Sequence, residues 1–195
     1  MTRVLPASAR TAVPWKNGGG VTREIAAWPE GAGMDAFAWR VSLAEVAADG
    51  PFSAFPEVDR TLTVVEGAGM DLTVGGERHL VNTRYVPRDF RGDVPTDCRL
   101  LDGPVVNLNV MWRRGAGPAA ASTTGSTTPT VAVVQGRLPL RAGTLVVALD
   151  GTAEVAGTTL GPYDAVQLGD EEAVLHARGR TAVIGLSLPA DAPLA

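Results

Sequence analysis

Glycine and proline interrupt this chain so often that long helices have little room to form. Its 23 glycines and 14 prolines together make up 37 of the 195 residues, whereas their usual combined share is about 12%. The segments between them are short, and in many of them apolar and polar residues alternate with the two-residue period of a β-strand. The sequence therefore predicts an all-β fold of short strands joined by turns.

The alternation also assigns polar side chains to faces of the predicted sheets. Thr22 and Glu24 fall on one face of a predicted strand, and Arg40 and Ser42 fall on one face of the next. The opposite face of that second strand carries aromatic and aliphatic residues, so we expect it to face a core. The polar faces are therefore candidates for a functional site.

A low-complexity run of Gly, Ala, Pro, Ser and Thr divides the chain. It covers residues 115–130 and is typical of a linker or a mobile surface loop. We expect a first lobe over residues 1–114 that carries a pocket, and a second β-barrel lobe over residues 131–195. About 65 residues are few for an independent core. The second lobe should therefore pack against the first and could exchange strands with it.

The charge balance argues against nucleic acid and membrane partners. The 17 Lys and Arg residues are outnumbered by 21 Asp and Glu residues, which gives a net charge of −4, and no basic run occurs. The N-terminal segment lacks the apolar core of a secretory signal, and no apolar stretch approaches the ~18 residues of a membrane span. We therefore expect a cytoplasmic protein that binds neither nucleic acid nor membranes.

Few residues of the types that bind metals are present. Cys98 is the only cysteine, and His79 and His176 are the only histidines and lie far apart in the sequence. A cupin-type metal centre usually needs two or three histidines and a carboxylate on adjacent strands. The sequence thus predicts a site without a metal, and because it contains neither a P-loop motif nor the glycine spacing of a dinucleotide-binding motif, it predicts no other cofactor.

Lys16 stands out because it is the only lysine among the 17 basic residues. It lies in the segment Pro14-Trp15-Lys16-Asn17-Gly18-Gly19-Gly20. Consecutive glycines expose backbone N–H groups and permit positive φ, which a backbone cradle for an anion requires. The glycines alone would equally indicate a flexible turn. With Trp15, Lys16 and Asn17 before them, we interpret the segment as part of a binding site.

Two further clusters combine aromatic and polar residues. The loop after Asp49 contains Phe52 and Phe55 and leads to Asp59 and Arg60. It would either contact a ligand or close the end of a barrel. In the second cluster, Asn107 and Asn109 share a strand face, where their amides could bind a ligand or serve structural hydrogen bonds.

The motifs of residues 14–114, taken in order, resemble those of one known family. They are Trp15-Lys16-Asn17-Gly18-Gly19-Gly20-Val21-Thr22-Arg23-Glu24-Ile25, Trp39-Arg40-Val41-Ser42, Asp49-Gly50-Pro51-Phe52-Ser53, Phe55-Pro56, Asp59-Arg60, Phe90, Gly92-Asp93, Cys98, Leu100, Gly103-Pro104, Asn109 and Met111. This set is similar to the HutD/Ves family. Two positions depart from the family pattern: Glu57 replaces a common glycine, and Asn107 replaces the usual Asp.

The resemblance implies a cupin-like double β-barrel (a bicupin) of two packed lobes, with a metal-free pocket around the Trp-Lys-Asn-Gly motif. The family is associated with bacterial histidine-utilisation genes, where a regulatory role has been suggested. It carries no established catalytic activity.

We therefore expect a binding or regulatory protein that senses a small anionic metabolite. Urocanate, N-formylglutamate and N-formiminoglutamate, intermediates of histidine degradation, are candidates. Lys16 and Arg40 would bind the carboxylate, and the Gly18–Gly20 amides and Asn17 would complete the shell, so that Lys16→Ala abolishes binding. The expected ligand-binding residues are Trp15, Lys16, Asn17, Gly18, Gly19, Gly20, Thr22, Glu24, Arg40, Ser42, Phe52, Phe55, Asp59, Arg60, Asn107 and Asn109.

An alternative is a metal-free isomerase or hydrolase that acts on a small carboxylate. Glu24, if desolvated near Lys16, would be its general base. Glu24 could instead simply neutralise Lys16. The sequence leaves the oligomeric state open, including a homodimer.

Overall fold

A computed structural model of the chain describes residues 1–115 and 129–186. Within these ranges the regular structure is β-strand, apart from one 3₁₀ turn at Ala7–Ala9. The predicted all-β fold is therefore confirmed. The described ranges contain no helix long and apolar enough to cross a membrane.

The strands follow one another closely along the chain, as the frequent Gly and Pro residues predict. In chain order they are β1 (Arg3–Leu5), β2 (Ala12–Pro14), β3 (Gly20–Trp28), β4 (Trp39–Val46), β5 (Gly50–Phe52), β6 (Val58–Glu66), β7 (Met70–Val74), β8 (Glu77–Val81), β9 (Arg88–Arg91), β10 (Thr96–Leu100), β11 (Val105–Arg113), β12 (Thr130–Leu140), β13 (Thr144–Ala148), β14 (Ala153–Val155), β15 (Thr158–Leu160), β16 (Ala165–Gln167) and β17 (Ala173–Gly185).

The chain divides into two compact units. The first unit is Thr11–Arg114, and the second unit combines Met1–Arg10 with the chain from Gly115 onward. The observed boundary of the first unit thus differs from the expected one, because the expected first lobe began at residue 1 and so included the first ten residues. They belong to the second unit because β1 pairs with β16. Most of the expected linker, residues 116–128, lies outside the described part of the chain.

The first unit contains two antiparallel sheets. The order is β2-β3-β4-β11-β6-β9 in the six-stranded sheet and β5-β10-β7-β8 in the four-stranded sheet. Their apolar faces form a common core, in which Leu62 and Val64 of one sheet pack with Met70, Leu72 and Cys98 of the other. Cys98 is a buried core residue, and this burial raises the pKa of its thiol to about 12.

The second unit is built on one seven-stranded sheet. The long strand β17 pairs with β12 on one side and with β13 and β14 on the other, and β1 and β15 complete the sheet at its ends. Its core is aliphatic and includes Val146, Leu160, Leu168 and Leu175. The aromatic and amide-bearing residues of the expected site all lie in the first unit.

Candidate functional site

A cavity of about 620 Å³ lies within the first unit. One wall is a face of the six-stranded sheet, and the rest of the lining comes from β5, from the loops that follow β2 and β5, and from the loop between β3 and β4. Most of the expected ligand-binding residues line it, namely Trp15, Lys16, Asn17, Thr22, Arg40, Ser42, Phe52, Phe55, Arg60, Asn107 and Asn109. The ligand-binding role of these residues stays a prediction.

The register of the sheet explains why separated polar residues meet on this wall. On the central strand β11, Asn109 lies opposite Ser42 of β4, and Met111 lies opposite Arg40 of β4 and Arg60 of β6. Alternate residues of a strand point to the same face. The two-residue period and the antiparallel pairing together therefore place these side chains side by side.

Arg60 is the most unusual residue of the cavity, because its charge is buried. The side chain is only 7% exposed, and its guanidinium carbon lies 5.3, 5.8 and 5.0 Å from the ring centres of Phe52, Phe55 and Phe90. Its Nε and Nη2 both donate to Asn109 Oδ1, at 3.4 Å each. No carboxylate among the described residues forms an ion pair with Arg60.

This environment lowers the pKa of Arg60, but the guanidinium stays charged at neutral pH. Loss of hydration disfavours the charged form, and it lowers the pKa of Arg60 to about 10. The three phenyl faces and one amide oxygen replace only part of the lost hydration. A buried cation with no ion-pair partner among the described residues is therefore a suitable partner for an anionic ligand.

Trp15 forms the aromatic side of the cavity and is held from two directions. Its Nε1 donates to Thr22 Oγ1 at 2.8 Å, and its ring meets Phe52 edge to face, with 6.1 Å between the ring centres. The indole is thus fixed by a hydrogen bond and by ring packing.

The three glycines form a turn rather than a cavity wall. Gly18 N–H donates to Trp15 O, and Gly19 N–H donates to Asn17 Oδ1, each at 3.0 Å. A Cβ at Gly20 would lie 2.2 Å from Glu45 O, so close packing against β4 requires glycine there. The turn therefore accounts for these glycines without a ligand, and the Gly18 and Gly19 amides are not free to bind one.

Two expected carboxylates also lie outside the cavity lining. Glu24 Oε2 forms an ion pair with Arg40 Nε at 2.8 Å, and Asp59 pairs with Arg114. Glu24 is thus the ion-pair partner of Arg40. The sequence analysis had instead considered Lys16 as the cation that Glu24 neutralises. Lys16 itself is exposed at the edge of the cavity.

The sequence analysis missed several lining residues: Val13, Pro14, Met34, Ala44, Pro51, Ser53 and Met111. Ala44 and Met111 could have been found, because the two-residue period places them on the faces of Ser42 and Asn109. Met34 belongs to the loop of residues 29–38 between β3 and β4 and contacts the Arg40 guanidinium. No sequence pattern indicates this contact.

The described cavity lining contains no carboxylate, imidazole or thiol group. Among all described residues, no group of three or more His, Cys, Asp or Glu side chains could hold a metal ion. Asn107, where the family pattern has Asp, is 2% exposed and donates from Nδ2 to Ala44 O at 3.3 Å. The cavity thus presents cations, amides, hydroxyls and aromatic rings.

Comparison with solved structures identifies the class of fold. A cupin 2 conserved barrel domain protein from Leptotrichia buccalis matches with a TM-score of 0.57 and 13% identity, over 89% of this chain and 92% of that one. Together with the two β-sheet units and the cavity between strands, this match defines a cupin-like all-β protein.

The family can be stated more narrowly. The HutD family model matches residues 7–184, and the chain therefore belongs to the HutD family. HutD from Pseudomonas fluorescens SBW25 matches with a TM-score of 0.81 and 32% identity, over 96% of this chain and 98% of that one.

Curated relatives carry two kinds of name. A 21.2 kDa protein of the hutC 3′ region of Pseudomonas putida is 38% identical over 100 residues, which are 51% of this chain and 52% of the relative. Protein Ves of Cronobacter sakazakii is 38% identical over 101 residues, 51% of this chain and 54% of the relative. The chain thus spans about half the length of these relatives in the alignments.

Proposed function

We propose that this protein binds a small carboxylate metabolite in the cavity of its first unit, with Arg60 as the buried partner of the carboxylate. The observation that carries the proposal is the Arg60 guanidinium, which lines the cavity, is buried among three phenylalanines and has no carboxylate partner in the described chain. An anionic ligand supplies the counter-charge that the described part of the chain does not.

The charge of the cavity supports this class of ligand. The chain as a whole is acidic, with a net charge of −4, yet the lining formed by the described residues includes Lys16, Arg40 and Arg60 and no carboxylate. Arg40 is compensated by Glu24, and Lys16 is exposed to water. Arg60 is therefore the group whose interaction with an anion is screened least by solvent.

The expected affinity is modest. Charge-assisted hydrogen bonds contribute about 1.5–3 kcal/mol each. Two or three of them contribute about 3–9 kcal/mol together, so that after the cost of ordering the ligand the binding is at best micromolar, which corresponds to about −8 kcal/mol. The aromatic walls Trp15, Phe52 and Phe55 would add contact with the body of the ligand.

The names of the relatives guide the choice of metabolite. One relative is named for the hutC region, and HutD names the family, which favours an intermediate of histidine degradation. Urocanate, N-formylglutamate and N-formiminoglutamate each carry a carboxylate for Arg60. We assign the binding a regulatory purpose, in which occupancy of the cavity reports the concentration of the metabolite.

The enzyme alternative has no support in the geometry of the site. Its candidate base, Glu24, pairs with Arg40 and does not line the cavity. Incubation of the protein with the three metabolites should accordingly give no product when followed by NMR. Turnover of any of them would overturn the assignment as a binding protein.

Calorimetric titration with the same three metabolites tests the binding site itself. At least one should bind the wild-type protein, and Arg60→Gln should weaken that binding by at least thirtyfold, because a charge-assisted contact of about 2 kcal/mol or more is lost. Arg114→Gln is the matched control, since Arg114 pairs with Asp59 and Asp93 and does not line the cavity. Equal affinities for the wild type, Arg60→Gln and Arg114→Gln would refute the role of Arg60.

A further inference from the structure

The Arg113 guanidinium holds two loops together. Its Nε donates to Phe37 O at 3.4 Å, its Nη2 to Asp35 O at 3.2 Å and its Nη1 to Pro56 O at 3.1 Å. The first two acceptors belong to the loop of residues 29–38, and the third belongs to the loop of residues 53–57 between β5 and β6. No carboxylate in the described chain forms an ion pair with Arg113. Its donors are thus committed to backbone carbonyls.

Both loops carry a residue of the cavity wall beside the carbonyl that Arg113 binds. Met34 precedes Asp35, Phe55 precedes Pro56, and both Met34 and Phe55 line the cavity. A shift of either carbonyl would therefore move a wall residue by a similar amount. Arg113 itself does not line the cavity.

A small apolar cluster lies between the same two loops. Phe37, Val58 and Met111 are its buried members, and Ala32 and Phe55 pack against them. The Arg113 guanidinium lies over the Phe37 ring, 5.5 Å from the ring centre. The loops are thus joined by apolar packing within the cluster and by the Arg113 hydrogen bonds.

We propose that Arg113 is a positioning residue that sets the shape of the cavity wall and, through it, the affinity for ligands large enough to touch that wall. The affinity part of this inference rests on the proposed function, whereas the effect on the loops does not. The chemistry requires arginine, because its planar fork offers five donors in fixed directions. A lysine keeps the charge but cannot serve three carbonyls in the same geometry.

The next residue provides a matched control. Arg114 carries the same charge at the end of β11, but its side chain pairs with Asp59 and Asp93. It makes no hydrogen bond to the loop that carries Met34 within the described structure. Arg113→Lys and Arg114→Lys therefore change the same functional group in two different settings.

Hydrogen–deuterium exchange of the ligand-free protein tests the effect on the loops. Arg113→Lys should raise the exchange rate of peptides from residues 29–38 and 53–57 by about tenfold, because two of the three hydrogen bonds are lost. Arg114→Lys should leave the rate in residues 29–38 unchanged. Arg113→Gln provides a second variant if the lysine substitution impairs folding. Unchanged rates, or a rise spread evenly over the first unit, would overturn the proposal.

Titrations with two probes of different size separate positioning from general stability. Formate is small enough to bind Arg60 alone, whereas N-formyl-L-glutamate must also meet the wall. Arg113→Lys should weaken N-formyl-L-glutamate binding about tenfold and leave formate binding unchanged. An equal loss for both probes would indicate a merely structural role and overturn the proposal. If the wild-type protein binds neither probe, the proposed function fails, and the exchange rates still decide whether Arg113 fixes the loops.

Discussion

At the residue scale, burial rather than rarity identifies the cation that matters most. The sequence drew attention to Lys16 because it is the only lysine, but this side chain is exposed at the edge of the cavity. In the sequence, Arg60 is only one of sixteen arginines. Its burial among three aromatic rings in the structure is what distinguishes it from the others. Sequence patterns report residue types, whereas burial depends on the packing of distant segments.

Lys16→Ala should therefore weaken metabolite binding by about fivefold at most, because ion pairs at exposed positions contribute about 0.2–1 kcal/mol, which is about 1.4- to fivefold in affinity. This expectation replaces the complete loss that the sequence alone predicted. Calorimetry of Lys16→Ala beside Arg60→Gln measures the difference. A larger loss in Lys16→Ala than in Arg60→Gln would show that the lysine, and not the buried arginine, holds the carboxylate.

A second prediction at this scale concerns Gly20. A Cβ there would lie 2.2 Å from the backbone oxygen of Glu45, so Gly20→Ala must displace the start of β3 and should lower the free energy of unfolding by about 2 kcal/mol or more. Gly33→Ala is the control, because a Cβ at Gly33 meets no atom within 4 Å. Urea denaturation of both variants checks this, and equal stabilities would contradict the close approach.

At the scale of strands, the alternation of residues predicted much of the cavity wall. It placed Arg40 with Ser42 and Asn107 with Asn109, and these residues do share the wall. It could not supply the cross-strand partners, because Phe90 reaches Arg60 only through the pairing of β9 with β6. The Met34 contact was equally hidden, since it depends on the path of a loop.

An ion-pair network at the ends of β6, β9 and β11 gives a prediction for pH. The Arg91 guanidinium, 3.0 Å away, and the Arg114 guanidinium lower the pKa of Asp93 from 3.8 to about 2. A depressed carboxyl pKa contributes stability above its unfolded value, and the contribution is lost as the pH falls from about 3.8 to 2. Asp93→Asn should therefore be less stable than the wild type at neutral pH, with a shallower loss of stability over this interval.

Denaturation curves at several pH values between 2 and 7 check this prediction. Asp97→Asn is a suitable control, because Asp97 is exposed on β10 and forms no ion pair in the described ranges. If the wild type and Asp93→Asn keep the same stability difference down to pH 2, the network does not hold the Asp93 carboxylate in its charged form.

At the scale of the whole molecule, the sequence predicted the class of fold but not where each unit begins. Turn residues and alternation indicated an all-β chain, and the HutD-like motifs indicated a cupin-like one. The assignment of Met1–Arg10 to the second unit depends on pairing across the length of the chain, with Arg3 opposite Gln167. Nothing local in the first ten residues encodes that partner.

Deletion of residues 2–10 should therefore destabilise the second unit and leave metabolite affinity unchanged. It removes the pairing with β16 and the hydrogen bond from Ala7 N–H to Asp164 Oδ1, at 2.8 Å. All four tryptophans, at positions 15, 28, 39 and 112, lie in the first unit, so their fluorescence follows the unfolding of that unit. In a denaturant titration, the unfolding transition followed by tryptophan fluorescence should keep its midpoint. The circular dichroism signal should show an additional transition at lower denaturant concentration, from the second unit. A weaker affinity would contradict a site confined to the first unit.

The most direct test of the account is a crystal structure of the protein with a bound metabolite, N-formyl-L-glutamate or urocanate. The account predicts a carboxylate oxygen of the ligand within about 3 Å of the Arg60 guanidinium, with the rest of the molecule between Trp15 and the wall of β11. A ligand whose carboxylate pairs with Lys16 alone, or lies outside the cavity while Arg60 keeps only its contact with Asn109, would contradict it.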